Sequence, residues 1–277
     1  MKKICVITGG GSGMGLATAK IMGKDYYIII CGRNIKKLES AVLQLQTEGI
    51  EVEAFACDVS DRESVEKLAQ HANELGKVAA VIHAAAMSPH MGDARQIMEA
   101  NALGTIHMNN AFFEVMEEGS CIIDVSSMSA YLTPKIIMPV SLYKYSIKDP
   151  DLFMKKIIKR INIFPEKVRA GVSYGISKHF VIWFAKQDAA RFGSKGVRIL
   201  SVSPGNFETP MGELEKGEAD AYTKYCAIKR FGHVEEIAGL FAYLAGESAG
   251  YLTGTDILCD GGLVASGVNP LKIGKSK

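Results

Sequence analysis

A tyrosine followed four residues later by a lysine can transfer a proton, and the sequence contains this pattern at Tyr131–Lys135, Tyr174–Lys178 and Tyr225–Lys229. A phenol is a poor acid at neutral pH, because its ordinary pKa is about 10. A neighbouring ammonium group stabilises the phenolate and brings that pKa closer to neutrality. Such a pair could therefore protonate the alkoxide that develops when a ketone is reduced.

The helical context favours the second of these pairs. Pro134 lies inside the first pair and interrupts the helix that would align its two side chains. The third pair follows the segment SPGNFET, where a mobile lid is expected. Tyr174 and Lys178 open a long helical pattern, SYGISKHFVIWFAKQDAARF, in which residues i and i+4 share a face. We therefore predict that Tyr174 and Lys178 act together.

A glycine-rich turn follows the first apolar run of the chain. Residues 8–15 read TGGGSGMG, with Thr8, Gly9, Gly13 and Gly15 in the pattern TGxxxGxG. A strand, a glycine turn and a helix start bring unpaired amide groups and the positive end of a helix to one point. Glycine also lets a diphosphate approach the backbone closely. The turn predicts a bound mononucleotide or dinucleotide.

Arg33 stands where the second strand is expected to end. A free ribose 2′-hydroxyl is usually held there by a carboxylate, about 20 residues after the glycines. The sequence has no carboxylate between Tyr26 and Lys37. A guanidinium group can instead pair with a 2′-phosphate. We therefore predict NADP(H) rather than NAD(H).

These side chains must be positioned by alternating strands and helices. Strands that are apolar throughout, each followed by a helix, indicate a parallel sheet covered on both faces. The prediction is an α/β fold, a doubly wound (Rossmann-type) parallel sheet of about seven strands, in a single domain over residues 1–277. The predicted strands are Ile4–Thr8, Tyr26–Cys31, Val52–Ala56, Val78–His83, Cys121–Ser126, Val197–Val202 and Asp256–Cys259. The predicted helices include Gly13–Met22, Ile35–Thr47, Arg62–Leu75 and Arg95–Met116.

Residues 131–171 interrupt this alternation and are interpreted as a helical insertion. Within them, DPDLFMKKIIKRI predicts a helix with Asp149 as its cap and an apolar stripe of Phe153, Ile157 and Ile161. Its opposite face is basic, which is typical of a solvated surface.

Charge and composition narrow the classes of partner. The net charge is +2 and 48% of the residues are hydrophobic, which gives no reason to expect nucleic acid or an acidic membrane surface. No run of about 18 apolar residues occurs. The six cysteines include no Cys-x-x-Cys pair and show no metal-ligand spacing. We expect a cytoplasmic protein without a metal.

Together, TGxxxGxG and SYGISK resemble the short-chain dehydrogenase/reductase family, and the resemblance covers nearly the whole chain in order. It implies that Ser127, in DVSSM, binds the substrate oxygen while Tyr174 supplies the proton. Lys178 would lower the pKa of Tyr174 and hold the nicotinamide ribose. Asn101, in ANALG, would hold a water that links Lys178 to solvent.

The same resemblance implies a set of cofactor contacts. Asp58, in ACDV, would contact the adenine, and Thr209, in SPGNFETPM, would secure the carboxamide end. The segment TGTDILCDGG is similar to the last-strand signature of the family. The full set of implied cofactor contacts is Thr8, Gly9, Ser12, Gly13, Met14, Gly15, Arg33, Asp58, Val59, Ala84, Ala85, Tyr174, Lys178, Pro204, Gly205, Phe207 and Thr209.

Two departures from the family pattern stand out. His83-Ala84-Ala85-Ala86 replaces the usual Asn-Asn-Ala-Gly, so polar supports are lost, and His83 is expected to be a hydrogen-bonded structural histidine. Residues 128–173 separate Ser127 from Tyr174, where the family usually has a short loop. The chain is similar in this respect to a bacterial hydroxysteroid dehydrogenase/carbonyl reductase subgroup.

The predicted function is NADP(H)-dependent interconversion of a secondary alcohol and a ketone, with a small-molecule substrate. Residues 211–231 would form the substrate lid, and the methionines Met87, Met128, Met138 and Met211 an adaptable apolar wall for a steroid-like or other bulky ketone. A β-hydroxyacyl thioester reductase would carry the same catalytic set. A regulatory protein that binds nucleotides without catalysis is a further alternative, although it would need only the glycine turn.

The resemblance also implies a homodimer or homotetramer. The insertion enters just before the Tyr174 helix, which the family commonly uses for dimer packing. We predict that this interface is altered or covered, with Phe153, Ile157 and Ile161 packed on their own domain or on a partner subunit.

Overall fold

Seven parallel strands form the centre of the protein. The computed structural model describes residues 2–214 and 216–268, and the strand order is β3-β2-β1-β4-β5-β6-β7. The strands are β1 (Lys3–Thr8), β2 (Tyr27–Gly32), β3 (Val52–Ala56), β4 (Lys77–His83), β5 (Cys121–Val125), β6 (Arg198–Pro204) and β7 (Asp256–Cys259). The order reverses between β1 and β4, where a doubly wound sheet binds its ligands at the carboxyl ends of the strands. The predicted fold class is confirmed.

Helices cover both faces of the sheet. They are α1 (Gly13–Met22), α2 (Ile35–Thr47), α3 (Arg62–Leu75), α4 (Ala94–Met98), α5 (Gly104–Val115), α6 (Ser129–Leu132), α7 (Val140–Tyr143), α8 (Tyr145–Lys148), α9 (Pro150–Ile161), α10 (Glu166–Gly193), α11 (Pro210–Leu214), α12 (Lys216–Thr223) and α13 (Val234–Ala245). A π-helical turn, Glu99–Leu103, joins α4 to α5. Helices α1, α2 and α13 bury apolar side chains on one face, and α3, α5 and α10 on the other. The central strands are mostly apolar because helices cover both faces of the sheet.

Most predicted strand ends are correct to within one or two residues, but two helix predictions need correction. The single helix predicted for Arg95–Met116 is broken by the π-helical turn, which no sequence pattern indicated. Helix α10 begins at Glu166, inside the segment assigned to the insertion. Residues 166–172 contain few apolar side chains, so the helical pattern is visible only from Ser173 onward.

Strand register aligns a row of polar side chains across five strands of the sheet. Thr8 on β1 is opposite His83 on β4, which is opposite Asp124 on β5. The row continues through Ser201 on β6 to Asp256 on β7. Register partners in a parallel sheet point to the same face, so these polar groups share the face covered by α3, α5 and α10.

The insertion folds back onto its own domain. The side chain of Asp149 accepts a hydrogen bond from the Leu152 amide (2.9 Å), which caps α9 as predicted. The ring of Phe153 stacks on Phe180 of α10, with 4.7 Å between centroids. The buried cluster under the insertion comprises Met98, Ala102, Ile106, Tyr143, Phe153, Met154, Ile157, Ile161, Ile176, Phe180 and Phe184. The apolar stripe of α9 therefore packs within the same chain.

Candidate active site

The turn between β1 and α1 depends on its glycines. Gly9 and Gly13 have φ angles of +70° and +53°, in the left-handed region that favours glycine. A β-carbon on Gly15 would lie 2.5 Å from the carbonyl oxygen of Gly9, so α1 starts directly against the turn. The free amide groups at the start of α1 therefore lie at the mouth of the turn, where backbone can approach an anion.

A cavity of about 400 Å³ opens at this turn. Loops that follow β1, β2, β3 and β4 line it, together with residues 209–211. The predicted cofactor contacts that the structure brings together here are Gly9, Ser12, Gly13, Met14, Gly15, Arg33, Asp58, Val59, Ala84, Ala85 and Thr209. The cavity lies at the point where the strand order reverses, as expected for a doubly wound fold.

Two exposed cations stand at one side of this cavity. Arg33 and Lys37 both line it, and no carboxylate of residues 2–214 or 216–268 is seen to form an ion pair with either. Asn34 accepts a hydrogen bond from the Lys37 amide (3.1 Å) and so caps α2 between them. Both positive groups are available to a bound anion.

Lys178 is buried next to Tyr174. Its side chain is 2% exposed, and its Nζ donates a hydrogen bond to the Val125 carbonyl (2.8 Å). The same Nζ lies 5.8 Å from the centroid of the Tyr174 ring. Burial lowers the pKa of Lys178 to about 8, while the Asp124 carboxylate acts in the opposite direction. The predicted pair thus shares one side of α10, and the pKa of its ammonium group lies close to neutral pH.

Backbone contacts hold Ser127 at the end of β5. The Ser126 hydroxyl donates a hydrogen bond to the Lys178 carbonyl (2.7 Å), which connects β5 to α10. The Met128 amide donates to the Pro204 carbonyl (2.8 Å), which ties the same segment to β6. The Ser127 hydroxyl itself contacts Ser129, accepting from its amide at 3.2 Å. Ser127 and Lys178 are therefore anchored through consecutive residues of one strand end.

The side chain of Asn101 connects the loop after β4 to the Tyr174 helix. Its Oδ1 accepts from the Met87 amide (2.8 Å), and its Nδ2 donates to the Met87 carbonyl (3.0 Å). Nδ2 also lies 3.1 Å from Ser177 Oγ, which donates in turn to the Tyr174 carbonyl (2.9 Å). The π-helical turn places Asn101 here, as is frequent for such turns at functional sites.

Thr8 and His83 support the loop that replaces the usual Asn-Asn-Ala-Gly. The Thr8 hydroxyl accepts a hydrogen bond from the Ala85 amide (2.8 Å) and shares a second one with His83 Nδ1 (2.9 Å). Burial and the charge of Lys178 lower the pKa of His83 to about 3, so the ring is neutral. His83 is the hydrogen-bonded structural histidine that the sequence predicted. Thr8 lies behind the cavity wall rather than in it.

Family models match most of the chain. One described as short chain dehydrogenase matches residues 3–140, and one described as Enoyl-(Acyl carrier protein) reductase matches residues 165–264. The chain belongs to the short-chain dehydrogenase/reductase family. It is an NAD(P)-dependent oxidoreductase of that family.

Similar proteins match this short-chain dehydrogenase/reductase over nearly its whole length. A short-chain dehydrogenase/reductase (bsc3) of Alternaria brassicicola is 27% identical over 96% of this chain and 97% of its own. The 3-oxoacyl-[acyl-carrier-protein] reductase FabG of Thermotoga maritima is 26% identical over 95% and 98%. A short chain dehydrogenase from Burkholderia cenocepacia, in complex with NADP, has the same fold, with a TM-score of 0.75 and 21% identity over 94% and 97%.

Several predicted cofactor contacts of this short-chain dehydrogenase/reductase lie outside the cavity lining. Phe207 is packed in the main hydrophobic core, where a β-carbon on Gly232 would lie 2.4 Å from its ring. Gly205 lies so close to Asp260 that a β-carbon would be 2.6 Å from its Cα. The predicted site residues outside the lining are Thr8, Asn101, Ser127, Tyr174, Lys178, Pro204, Gly205 and Phe207. Tyr174 packs against Met87 and Ala100, which line the cavity, so the predicted catalytic tyrosine lies beside the cavity wall.

The other two tyrosine–lysine pairs are occupied differently. Tyr131 donates its hydroxyl proton to Asp256 of β7 (2.6 Å), and burial together with that carboxylate raises the pKa of Tyr131. Tyr225 is about half exposed on the segment predicted as a lid. A raised pKa makes a phenol a weaker acid, so Tyr131 is a poorer proton donor than an ordinary tyrosine.

Sequence reasoning did not single out Met91, Ser177 or Asp124. Met91 lines the cavity from the irregular loop after β4, where no periodicity points to a face. Asp124 lies inside an apolar strand, and that interruption of the apolar run was an available signal.

None of the helices in residues 2–214 and 216–268 has both the length and the apolar character needed to cross a bilayer.

Proposed function

We propose that this enzyme uses NADP(H) to interconvert a secondary alcohol and a ketone. The observation that carries the proposal is the buried ammonium group of Lys178, 5.8 Å from the Tyr174 ring centroid, on the helix beside Ser127. A cation at that distance favours the phenolate and makes the phenol a better acid. The intact set argues against a regulatory protein, which would need the nucleotide cavity alone.

The side chains of the chain take distinct roles in this proposal. Tyr174 donates a proton to the substrate oxygen during reduction and removes it during oxidation. The Ser127 hydroxyl binds the same oxygen and fixes its position. Lys178 stabilises the phenolate of Tyr174, and Asn101 holds the backbone of both the Met87 loop and, through Ser177, the Tyr174 helix. A bound nicotinamide supplies or accepts the hydride.

The dinucleotide fits the residues that are present. Gly9 and Gly13 hold the turn in its left-handed conformation, and the turn lines the cavity at the start of α1, where backbone amide groups can bind a diphosphate. Arg33 and Lys37 supply positive charge without a carboxylate partner in the described chain, which favours a 2′-phosphate and hence NADP(H). The NADP that accompanies the similar Burkholderia protein supports the same preference.

Substrate class is proposed from the apolar side chains around the site. Met87, Met91 and Met211 line the cavity, and Met128 packs with Leu132 and Tyr222 beside Ser127. Flexible thioether side chains adapt to bulky apolar shapes. We propose a bulky ketone such as a steroid, as in the hydroxysteroid dehydrogenase/carbonyl reductase subgroup, with residues 211–231 as the lid.

The second candidate is reduction of a β-ketoacyl thioester. It is supported by the similarity to a 3-oxoacyl-[acyl-carrier-protein] reductase over nearly the whole chain.

The predicted cytoplasmic location and the predicted homodimer or homotetramer stay predictions.

The decisive test is NADPH oxidation by the purified protein with cyclic ketones, steroid ketones and 3-oxoacyl thioesters. We expect turnover that Tyr174→Phe lowers by about two orders of magnitude or more, since it removes the proton donor. Tyr131→Phe is the matched control and should retain the wild-type rate. Turnover of thioesters alone would select the second candidate. NADPH binding without turnover of any of these substrates would favour the regulatory protein that binds nucleotides without catalysis.

A further inference from the structure

A fully buried carboxylate lies behind the proton-transfer pair. Asp124 occupies β5, between β4 and β6, with no exposure to solvent. Its Oδ2 accepts a hydrogen bond from Asn109 Nδ2 of α5 (3.0 Å). Its Oδ1 is buried without a hydrogen-bond partner in the described chain. Asp124 does not line the cofactor cavity and has no role in the substrate steps proposed above.

This arrangement costs stability. Burying a carboxylate costs free energy of folding unless a cation or several hydrogen bonds compensate it. A single hydrogen bond from the Asn109 side-chain amide does not compensate it. Burial accordingly raises the pKa of Asp124 to about 7. An asparagine would have nearly the same shape and could keep the contact with Asn109. The charge of Asp124 therefore requires a reason other than packing.

Lys178 supplies that reason. Its ammonium group is buried and donates to the carbonyl of Val125, the residue next to Asp124. A carbonyl accepts a hydrogen bond but carries no net charge to balance an ammonium group. The ionisable groups that face Lys178 are Tyr174 on its own helix, His83 on β4 and Asp124 on β5. His83 is neutral, and Asp124, which lies on the sheet face that α10 covers and next to the residue that Lys178 contacts, is the carboxylate placed to balance the charge of Lys178.

The groups around Asp124 leave it free for this role. Asp188 of α10 faces it and disfavours its ionised form, whereas Lys178 favours that form. Cys121 lies on the same strand and is a neutral thiol, because burial raises its pKa. Asp188 has its own cation, with 2.7 Å between its Oδ2 and the guanidinium of Arg191. Arg191 is therefore engaged, and Lys178 is the cation with which Asp124 interacts.

We propose that Asp124 is a positioning residue, whose buried carboxylate is the counter-charge that keeps Lys178 protonated beside Tyr174. The catalytic importance of that charge rests on the proposed function, whereas the coupling between the two side chains does not. Asp124 touches neither substrate nor cofactor in this proposal, and it acts through Lys178.

The direct test is the titration of Lys178 by NMR, in protein isotope-labelled at lysine Cε. The signal is assigned by its loss in Lys178→Arg. In Asp124→Asn, we expect the Lys178 midpoint to move down by about 1 pH unit, because an opposite charge at close range has been removed. Asp188→Asn is the matched control. It removes another buried carboxylate of the same neighbourhood and should leave the midpoint in place or raise it slightly.

A midpoint that stays within about 0.3 pH unit in Asp124→Asn would overturn the proposal, since the expected shift is about 1 unit. An equal downward shift in Asp188→Asn would do so too, because the effect would then be general. If Asp124→Asn does not fold, the coupling can be measured from the other side. Interaction between two titrating sites is reciprocal, so Lys178→Met should raise the midpoint of Asp124, followed at Cγ, by a comparable amount. An unchanged Asp124 midpoint would reject the proposal.

Activity provides a readout that distinguishes this proposal from the function itself. In the profile of kcat against pH for ketone reduction, the basic limb should move to lower pH in Asp124→Asn, together with the Lys178 midpoint. The KM for NADPH should be unchanged. A shifted Lys178 midpoint with no reductase activity in the wild type would reject the proposed function and leave the charge coupling established. A shifted midpoint with an unchanged kcat profile would reject the catalytic part of the inference.

Discussion

The Thr133 hydroxyl oxygen lies 2.1 Å from the position that a β-carbon on Gly175 would occupy. The helix that carries Tyr174 therefore touches the segment after α6 directly, at the residue next to the tyrosine. The Thr133 hydroxyl is held there by donating to the Ser129 carbonyl (2.8 Å). Gly175 thus sets the spacing between the strand end that carries Ser127 and the helix that carries Tyr174.

We predict that Gly175→Ala lowers both stability and kcat. The added methyl group must displace Thr133, at a cost of about 1–3 kcal/mol for overpacking. A shift of α6 would also move Ser127 away from Tyr174, so kcat should fall about tenfold or more. Gly171→Ala, on the same helix, meets no atom within 4 Å and is the control. Equal melting temperatures and rates for the two variants would contradict the prediction.

Arg33→Ala should weaken NADPH binding about tenfold or more and leave NADH binding nearly unchanged, because a charge-assisted contact to the 2′-phosphate is lost. Nicotinamide fluorescence titrations with each cofactor measure both constants. Lys36→Ala is the control, since Lys36 is also an exposed cation but does not line the cavity. Equal losses for NADPH and NADH would remove Arg33 from phosphate recognition.

Asp124→Asn should change the dependence of stability on pH. Because the folded pKa of Asp124 is raised from 3.8 to about 7, its ionisation destabilises the fold as pH rises through that interval. Wild type and variant should melt together at the acidic end. The variant should melt several degrees higher above about pH 7, since each unit of pKa shift corresponds to about 1.4 kcal/mol. A constant difference at all pH values would show that shape, rather than charge, is responsible.

Phe153→Ala should destabilise the protein by about 3–5 kcal/mol, because it empties a buried position stacked on Phe180. The single tryptophan, Trp183, lies in the same aromatic group and reports the loss of packing through its fluorescence. Ile163→Ala is the control, since Ile163 is mostly exposed. Chemical denaturation of both variants measures the difference. If Phe153→Ala were as stable as the control, the insertion would not be packed on α10.

Local patterns made much of the site predictable. The glycine turn was predicted from its glycine spacing and its place after the first strand, and the Tyr174–Lys178 pair was selected from three such spacings by its helical context. The helix cap at Asp149 was predicted for the same reason. Arg33 was found because the end of β2 is fixed relative to the glycine turn.

What the sequence did not reveal depends on contacts between distant segments. Thr8 was interpreted as a cofactor contact, but its hydroxyl is used by Ala85 and His83. Phe207 stays a predicted cofactor contact, and its ring fills space left by Gly232 in the core, a packing partner that the sequence did not indicate. The π-helical turn at Asn101 is stabilised by bonds to Met87 and Ser177, which are far away in sequence. No periodicity within a single segment encodes such partners.

Because the insertion packs on α5 and α10 within one chain, the order of α10 does not depend on the protein concentration. Phe153 and Ile157 bury Phe180 and Ile106 within one polypeptide, so the order of the Tyr174 helix arises from a unimolecular contact. A face ordered by a second subunit would lose that order as the protein concentration falls below the dissociation constant of the assembly. Here the apolar side of the catalytic helix stays covered at any concentration at which the chain remains folded.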